Sequence, residues 1–277
     1  MNVSELLNES VARLTPRFDS AQLDAEVLLS FGLGWQRTHL ITRDSQLLSS
    51  DQIEIVNQLI SRRANGEPVA YIVGEQEFWS LPLTVNSSTL IPRPETEHLV
   101  EAALDYLPKS ENKSVLDLGT GSGAIVLALA SERPSNEYFA VDFSVEALKV
   151  AKHNAEKLNI SGVTFSQSSW FSELESQKFD LIISNPPYIE LNDEHLKQGD
   201  VASEPVSALT SGIDGLDDIR VISEQARNFL NTSGWLMLEH GWNQAAEVRG
   251  ILAANGYKKI QSIKDFSNIE RLTIAQF

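Results

Sequence analysis

The spacing of apolar positions divides the chain into stretches of different period. Near the N-terminus Leu7, Val11 and Leu14 recur at helical spacing. Leu23 and Val27 continue that period after Phe18-Asp19-Ser20, where Asp19 or Ser20 is placed to cap a helix. A later helix opens near Ser49 and puts Ile53, Val56 and Ile60 on one stripe, with Gly66 and Pro68 as stop signals. The stretch "EFWSLPLTVNSSTLIPRPETEHLV" then changes character. Phe78 to Val85 alternates as a strand does, Asn86-Ser87-Ser88 reads as a turn, and Leu90-Ile91 is predicted to pair back as a hairpin closed by "IPRP". A helix is predicted to begin at Glu95.

From Ser114 the pattern becomes strand, helix, strand, helix. "SVLDL", "EYFAVD", "VTFSQ", "FDLIIS" and "WLMLEH" read as strands, with "AIVLALAS" and "VEALKVAKHNAEKL" as helices between the first three. A helix through "AAEVRGILAANG" and a terminal pair of strands, "YKKIQSI" and "RLTIAQF", complete the chain. Near-continuous apolar strands alternating with helices imply a mostly parallel sheet covered on both faces. The expected organisation is a helical domain over 1–75, a β-hairpin connector over 76–94 and an α/β domain over 95–277.

Composition narrows the chemistry. Of 277 residues, 42% are hydrophobic and 22% charged, which suits a packed core and excludes a disordered chain. The formal charge of -16 opposes non-specific attraction to phosphate backbones, so a protein or small-molecule partner is favoured over nucleic acid. Cysteine is absent, which excludes disulfides, thiolate nucleophiles and zinc–thiolate sites. His39, His98, His153, His195 and His240 show no metal-ligand spacing, and no metal is expected. "MNVSELLNESVARL" lacks the cationic and apolar regions of a secretory signal, and no apolar run is long enough for a membrane span, so a cytoplasmic protein is expected.

Candidate chemistry gathers at the predicted strand ends. "VLDLGTGSGAI" places Gly119, Gly121 and Gly123 between the first strand of the α/β region and its helix, where a ligand of an open sheet lies close to the backbone. Asp142 ends the next strand, about twenty residues on, where a carboxylate can accept ribose hydroxyls. That spacing suits a dinucleotide as well as other adenosine cofactors. Asp117, just before the loop, would repel a pyrophosphate and suit a cationic ligand, which favours S-adenosylmethionine over NAD.

"FDLIISNPPYIE" then ends an apolar strand on Asn185, Pro186, Pro187 and Tyr188. Two prolines delete two backbone donors and fix two φ angles, and the residue before a proline is pushed to extended geometry. The Asn185 amide oxygen and the Pro186 carbonyl can grip the hydrogens of a planar NH2 and aim its lone pair at a methyl group. Tyr188 can stack on the flat face of an amide or base. Taken alone, "NPPY" reads better as a rigid surface turn than as a site; the glycine loop and Asp142 on the same rim reverse that and favour a site.

These residues carry a resemblance. "YIVGEQEFWSLPLTV", "TLIPRPETE", "LDLGTGSGAI", "AVDFS", "SNPPYI", "EPVSAL", "GLDDI" and "LEHGW" resemble, in order and over nearly the whole chain, the motifs of bacterial protein-(glutamine N5) methyltransferases of peptide chain release factors, the HemK or PrmC family. The resemblance implies an α/β fold: a Rossmann-like class I methyltransferase sheet, mostly parallel with an antiparallel last strand, beside a small N-terminal helical domain that helps dock the release factor. It implies that Gly119, Thr120, Gly121, Ser122 and Gly123 contact S-adenosylmethionine, that Asp142 holds its ribose and that Trp170 flanks the adenine, with Asn185 near both donor and acceptor. Asn185, Pro186, Pro187 and Tyr188 would hold the glutamine of a Gly-Gly-Gln motif, Asn185, Pro186 and Tyr188 being the catalytic set. The products would be the methylated glutamine and S-adenosylhomocysteine, and the enzyme a monomer.

Two positions depart from relatives: Ser169 stands where an acid is frequent, and Leu90 where some relatives have an aromatic. Two other classes share some of these features. An amino-group methyltransferase of adenine or guanine in nucleic acid shares "NPPY" but calls for a basic groove, and a non-catalytic adaptor would not need an intact Asn185–Tyr188 bracket. Arg93, Glu95 and Glu97 read as channel-lining residues or as a hairpin-closing ion pair. Glu204-Pro205 reads as ordering the loop after Tyr188, His240 as a structural hydrogen-bonding residue, and Trp35, Trp79, Trp235 and Trp242 as packing residues.

Overall fold

Asn2 opens the first helix because its side chain accepts the Glu5 amide proton while the Glu5 carboxylate accepts its own, a reciprocal cap. In the computed structural model, which describes residues 1–175 and 177–277, this helix, α1 (Val3–Leu14), packs with α2 (Ala21–Leu33), α3 (Arg37–Thr42), α4 (Ser50–Ala64) and α5 (Val69–Val73). They form a compact unit of residues 1–75 that also includes 194–203.

The buried stripe of α1 is Val3, Leu6, Ser10 and Leu14, so the predicted Leu7 and Val11 sit at its edge. Leu23, also predicted inside, is 48% exposed; Ala21, Ala25, Leu28 and Leu29 carry the inner face of α2 together with the acid Asp24. Asp24 is tolerated there because buried Arg63 donates to it at 2.7 Å, with the guanidinium 3.7 Å from the Phe18 ring centroid. Arg63 also pairs with Asp200, from the 194–203 segment.

The second unit comprises residues 76–193 and 204–277. A hairpin of β1 (Glu75–Phe78) and β2 (Leu81–Thr84) precedes the larger sheet in sequence. The hairpin turns at Trp79 and Ser80, whose φ angles are 52° and 58°. The sequence pattern predicts instead a continuous strand over Phe78–Val85 and a return at Leu90–Ile91, and that register is wrong. A two-residue hairpin turn favours positive φ at both positions, normally signalled by Asn-Gly or Asp-Gly, and Trp-Ser carries no such signal. Here the Trp79 N–H donates to Glu97 Oε1 at 2.7 Å and its indole to Glu132 at 3.1 Å, which holds the turn.

After the hairpin come α6 (Glu97–Asp105), β3 (Ser114–Leu118), α7 (Ala124–Glu132), β4 (Glu137–Asp142), α8 (Val145–Lys157), β5 (Val163–Gln167), β6 (Phe179–Ser184), α9 (Asp217–Ala226), β7 (Leu230–Glu239), α10 (Ala245–Ala254), β8 (Lys258–Lys264) and β9 (Glu270–Gln276). Among the described residues the large sheet has seven strands in the order β5-β4-β3-β6-β7-β9-β8. Pairs from β5 to β7 are parallel, and β9 runs antiparallel between β7 and β8, as the resemblance implied. α6, α7 and α8 contribute to the apolar cluster on one face with Val115, Leu181 and Ile183; α9 and α10 cover the other, over Leu116, Ile182 and Leu236.

Strand register brings four chain segments level at one edge of this sheet. Leu118 of β3 is opposite Val141 of β4 and Ser184 of β6, and Ser184 is opposite Leu238 of β7. The next residue of each strand or loop, Gly119, Asp142, Asn185 and Glu239, therefore emerges on one rim at the carboxyl ends of the strands, where open α/β sheets bind ligands.

Candidate active site

The glycine turn is shaped by its own backbone. Gly119 and Thr120 both donate to the Val141 carbonyl, at 2.9 and 3.0 Å, and Gly119, Gly121 and Gly123 have φ of 71°, 56° and 85°. A side chain at any of them would strain the turn. A Cβ on Gly123 would also meet Leu127 Cδ1 at 3.0 Å, and Gly123 lies behind the turn as the residue leading into α7. A Cβ on Gly119 would touch the Trp170 ring at 3.5 Å.

Asp142 faces the same space. Its carboxylate accepts the Gly121 N–H at 2.9 Å and the Ser144 N–H at 2.8 Å, one on each oxygen. Each oxygen keeps a further lone pair for a hydroxyl donor. Burial pushes the Asp142 proton affinity up, and the two backbone donors oppose that.

Asp117 does not take the ligand-facing place that its position before the loop suggests. It is wholly buried, is absent from the cavity wall and accepts the Thr120 hydroxyl at 2.7 Å. Burial raises its pKa to about 7. It therefore supports the turn from beneath, and the acids in the cavity wall are Asp142, Glu146 and Asp218.

These groups enclose a cavity of about 460 Å³, within the range of small-molecule sites. Of the sequence-predicted residues, Gly119, Thr120, Gly121, Ser122, Asp142, Trp170, Asn185 and Pro187 line it; Gly123, Pro186 and Tyr188 do not. Leu90 and Ser169, the two departures from relatives, both lie in its wall. Trp170 has φ 53° and donates its indole N–H to Asp218 at 3.1 Å, so its ring is held by α9, a helix that the apolar spacing did not predict.

The Asn185–Tyr188 bracket is held by long-range bonds. Ser184 donates its hydroxyl to the Leu118 carbonyl at 2.7 Å, and the Tyr188 and Ile189 amides donate to Leu209 O at 3.2 and 2.8 Å. Gln244 donates to the Tyr188 carbonyl at 3.0 Å. Asn185 Nδ2 donates to Thr96 Oγ1 at 3.1 Å, and the Tyr188 hydroxyl donates to Glu239 Oε1 at 3.3 Å. Burial raises the proton affinity of the Tyr188 phenol and takes the Glu239 carboxyl to about 7.

Sequence reasoning missed Thr96 and Glu239, although both sit inside motifs it singled out, "IPRPETE" and "LEHGW". Arg93 pairs with Glu204 at 2.6 Å, and the Glu204 side chain is fully buried. That pair joins the segment after the hairpin to the loop after Tyr188 rather than closing the hairpin. His240 is buried, donates from Nδ1 to Gly241 O at 3.0 Å and accepts the Thr273 hydroxyl on Nε2 at 2.8 Å. Trp242, expected to pack, is 65% exposed. Among the described residues no group of three or more His, Asp or Glu is placed to hold a metal ion, and no helix is long and apolar enough to cross a membrane.

Comparison with known proteins places the chain in a family. Residues 109–269 match the family model of a methyltransferase domain, and residues 5–74 match that of the PrmC N-terminal domain. The chain is 49% identical to the release factor glutamine methyltransferase of Yersinia pestis over 277 residues, covering 100% of this chain and 99% of that protein. Identity to the protein of the same name from Escherichia coli (strain K12) is 45%, with the same coverage. A crystal structure of a methyltransferase from Pyrococcus furiosus matches with a TM-score of 0.55 at 18% identity, covering 78% of this chain and 96% of that one, and so shares the fold.

Proposed function

This chain belongs to the release factor glutamine methyltransferase family, and we propose that it methylates the side-chain amide nitrogen, N5, of the glutamine in the Gly-Gly-Gln motif of peptide chain release factors. S-adenosylmethionine, when bound, supplies a methyl group already activated by a sulfonium, and S-adenosylhomocysteine is the product. The residues present fit such a donor: the cavity wall carries three carboxylates, Asp142, Glu146 and Asp218, against one guanidinium, Arg93, which favours a cationic ligand. Gly119 to Ser122 would seat it, Asp142 would take the ribose hydroxyls and Trp170 would flank the adenine.

The chain's own contribution is positioning. An amide nitrogen is a poor nucleophile because its lone pair is delocalised. Asn185 Oδ1 accepts one of its hydrogens and so fixes the direction of that lone pair, with Pro187 beside it in the same wall. Pro186 and Tyr188, which do not line the cavity, stiffen and brace the bracket from behind. The proton displaced at N5 leaves past Asn185 to water. The N-terminal helices take part in docking the release factor. We place the reaction in the cytoplasm, carried out by a monomer, with a protein and not a nucleic acid as substrate.

One observation carries this reading: Asn185 shares a cavity wall with the glycine turn and Asp142. Incubation with release factor and labelled S-adenosylmethionine, followed by mass spectrometry of the Gly-Gly-Gln peptide, tests it. A gain of one methyl on the glutamine is expected. Label entering only nucleic acid in a parallel incubation would overturn it.

A further inference from the structure

An asparagine can present either end of its amide to a substrate, and only the oxygen can grip an N–H. The neighbours of Asn185 decide which end faces the cavity. Its Nδ2 lies 3.1 Å from the hydroxyl of Thr96, which is 4% exposed. The Thr96 hydroxyl also acts on the buried Glu239 carboxyl, whose proton affinity it lowers, and Glu239 receives the Tyr188 hydroxyl on Oε1 at 3.3 Å. Glu239 is itself 4% exposed, and its Oε2 has no hydrogen-bond partner.

A hydroxyl has one proton to give, and an ionised carboxylate can only accept. With Glu239 ionised, Thr96 gives its proton to the carboxylate and turns a lone pair to Asn185. The Asn185 NH2 is then drawn to Thr96, and Oδ1 is left for the cavity. From this chain of donors we infer that Thr96 and Glu239 are positioning residues that set the direction of the Asn185 amide, and through it the grip on the substrate carboxamide. The inference rests on the function proposed above and adds residues from two distant segments to it.

The chain of donors also has a reversed state. A protonated Glu239 can donate to Thr96, whose own proton is then free to meet Asn185 Oδ1, and the amide that results offers N–H against N–H. The groups acting on Glu239 are the Thr96 and Tyr188 hydroxyls and Arg271, which lower its proton affinity, and Glu95, which raises it. Burial outweighs them, and the carboxyl titrates at about 7.

The test compares Thr96→Val, which keeps the shape and drops the hydroxyl, with Thr96→Ser, which keeps the hydroxyl. With full-length enzyme and release factor, Thr96→Val should lower kcat about 10- to 100-fold, the range a misaligned reacting group costs. Its affinity for S-adenosylhomocysteine should stay within about threefold, and Thr96→Ser should restore most of the rate. Wild-type kcat should fall as pH drops through about 7, and Glu239→Gln should abolish that limb. A Thr96→Val kcat within threefold of wild type, equal losses in the Val and Ser variants, or joint loss of rate and S-adenosylhomocysteine binding would each overturn the inference. A wild-type enzyme that leaves the Gly-Gly-Gln peptide unmethylated would instead overturn the function beneath it.

Discussion

The glycine turn and the Asn-Pro-Pro-Tyr bracket share one rim of the sheet but are built in different ways. The turn is backbone: three glycines at positive φ, two amides on one carbonyl, and a carboxylate twenty-one residues on that takes a third amide. The bracket is side chains: Thr96 reaches Asn185 across 89 residues, and Glu239 reaches Tyr188 across 51. A seat for one ligand is thus encoded within a single strand–helix–strand unit, while aiming a planar amide takes partners from distant segments. The first should tolerate change elsewhere in the molecule. The second should not.

Separating the two regions by substitution is the sharpest way to break that comparison. Asn185→Ala should lower the methylation rate by about 10²- to 10³-fold, as loss of one group polarising a reacting centre does. Equilibrium binding of S-adenosylhomocysteine should change only a few-fold, and a comparable collapse of binding would show that bracket and turn are one site. Gly119→Ala should do the reverse. It forces a side chain into positive φ against Trp170, a strain on the order of 1–3 kcal/mol, so calorimetry should find donor affinity weakened ~10-fold while kcat at saturation holds.

Trp170→Phe probes the seam between them. It keeps an aromatic ring over Gly119 and removes the 3.1 Å bond to Asp218, a loss of about 1 kcal/mol, near fivefold in the KM for donor.

The smallest expected effect is on stability. Asp117 is held neutral more readily than an ordinary carboxyl, with its pKa raised from 3.8 to about 7 by burial. Between those values the folded protein binds more protons than the unfolded chain, so stability should fall as pH rises from about 4 to about 7. Asp117→Asn should flatten that part of the profile of Tm against pH, by a few degrees. A profile unchanged by the substitution would show that burial of Asp117 does not set it.

Much of the sheet was legible because it depends on neighbours. Continuous apolar runs such as "FDLIIS" announce strands buried on both faces, and Gly119, Gly121 and Gly123 announce a backbone that bends to positive φ. Where local signals mislead, the reason is also local. Trp79-Ser80 makes a hairpin turn without turn chemistry, and Leu23 keeps helical spacing on an exposed face because Asp24 holds the inner one through Arg63.

The alternation of strands and helices, the glycine turn with Asp142, the stiff Asn-Pro-Pro corner and, through its motifs, the family can all be read from the order of residues alone. Folding alone reveals that Thr96 and Glu239 stand behind that corner, that Asp117 supports the turn from beneath, that Arg93 reaches Glu204, and that residues 194–203 join the N-terminal helices. Periodicity and φ preferences are set by atoms within a turn or two of chain. The partner of a buried hydroxyl or carboxyl is set by which strands lie side by side, and strand order is written in no single stretch of residues.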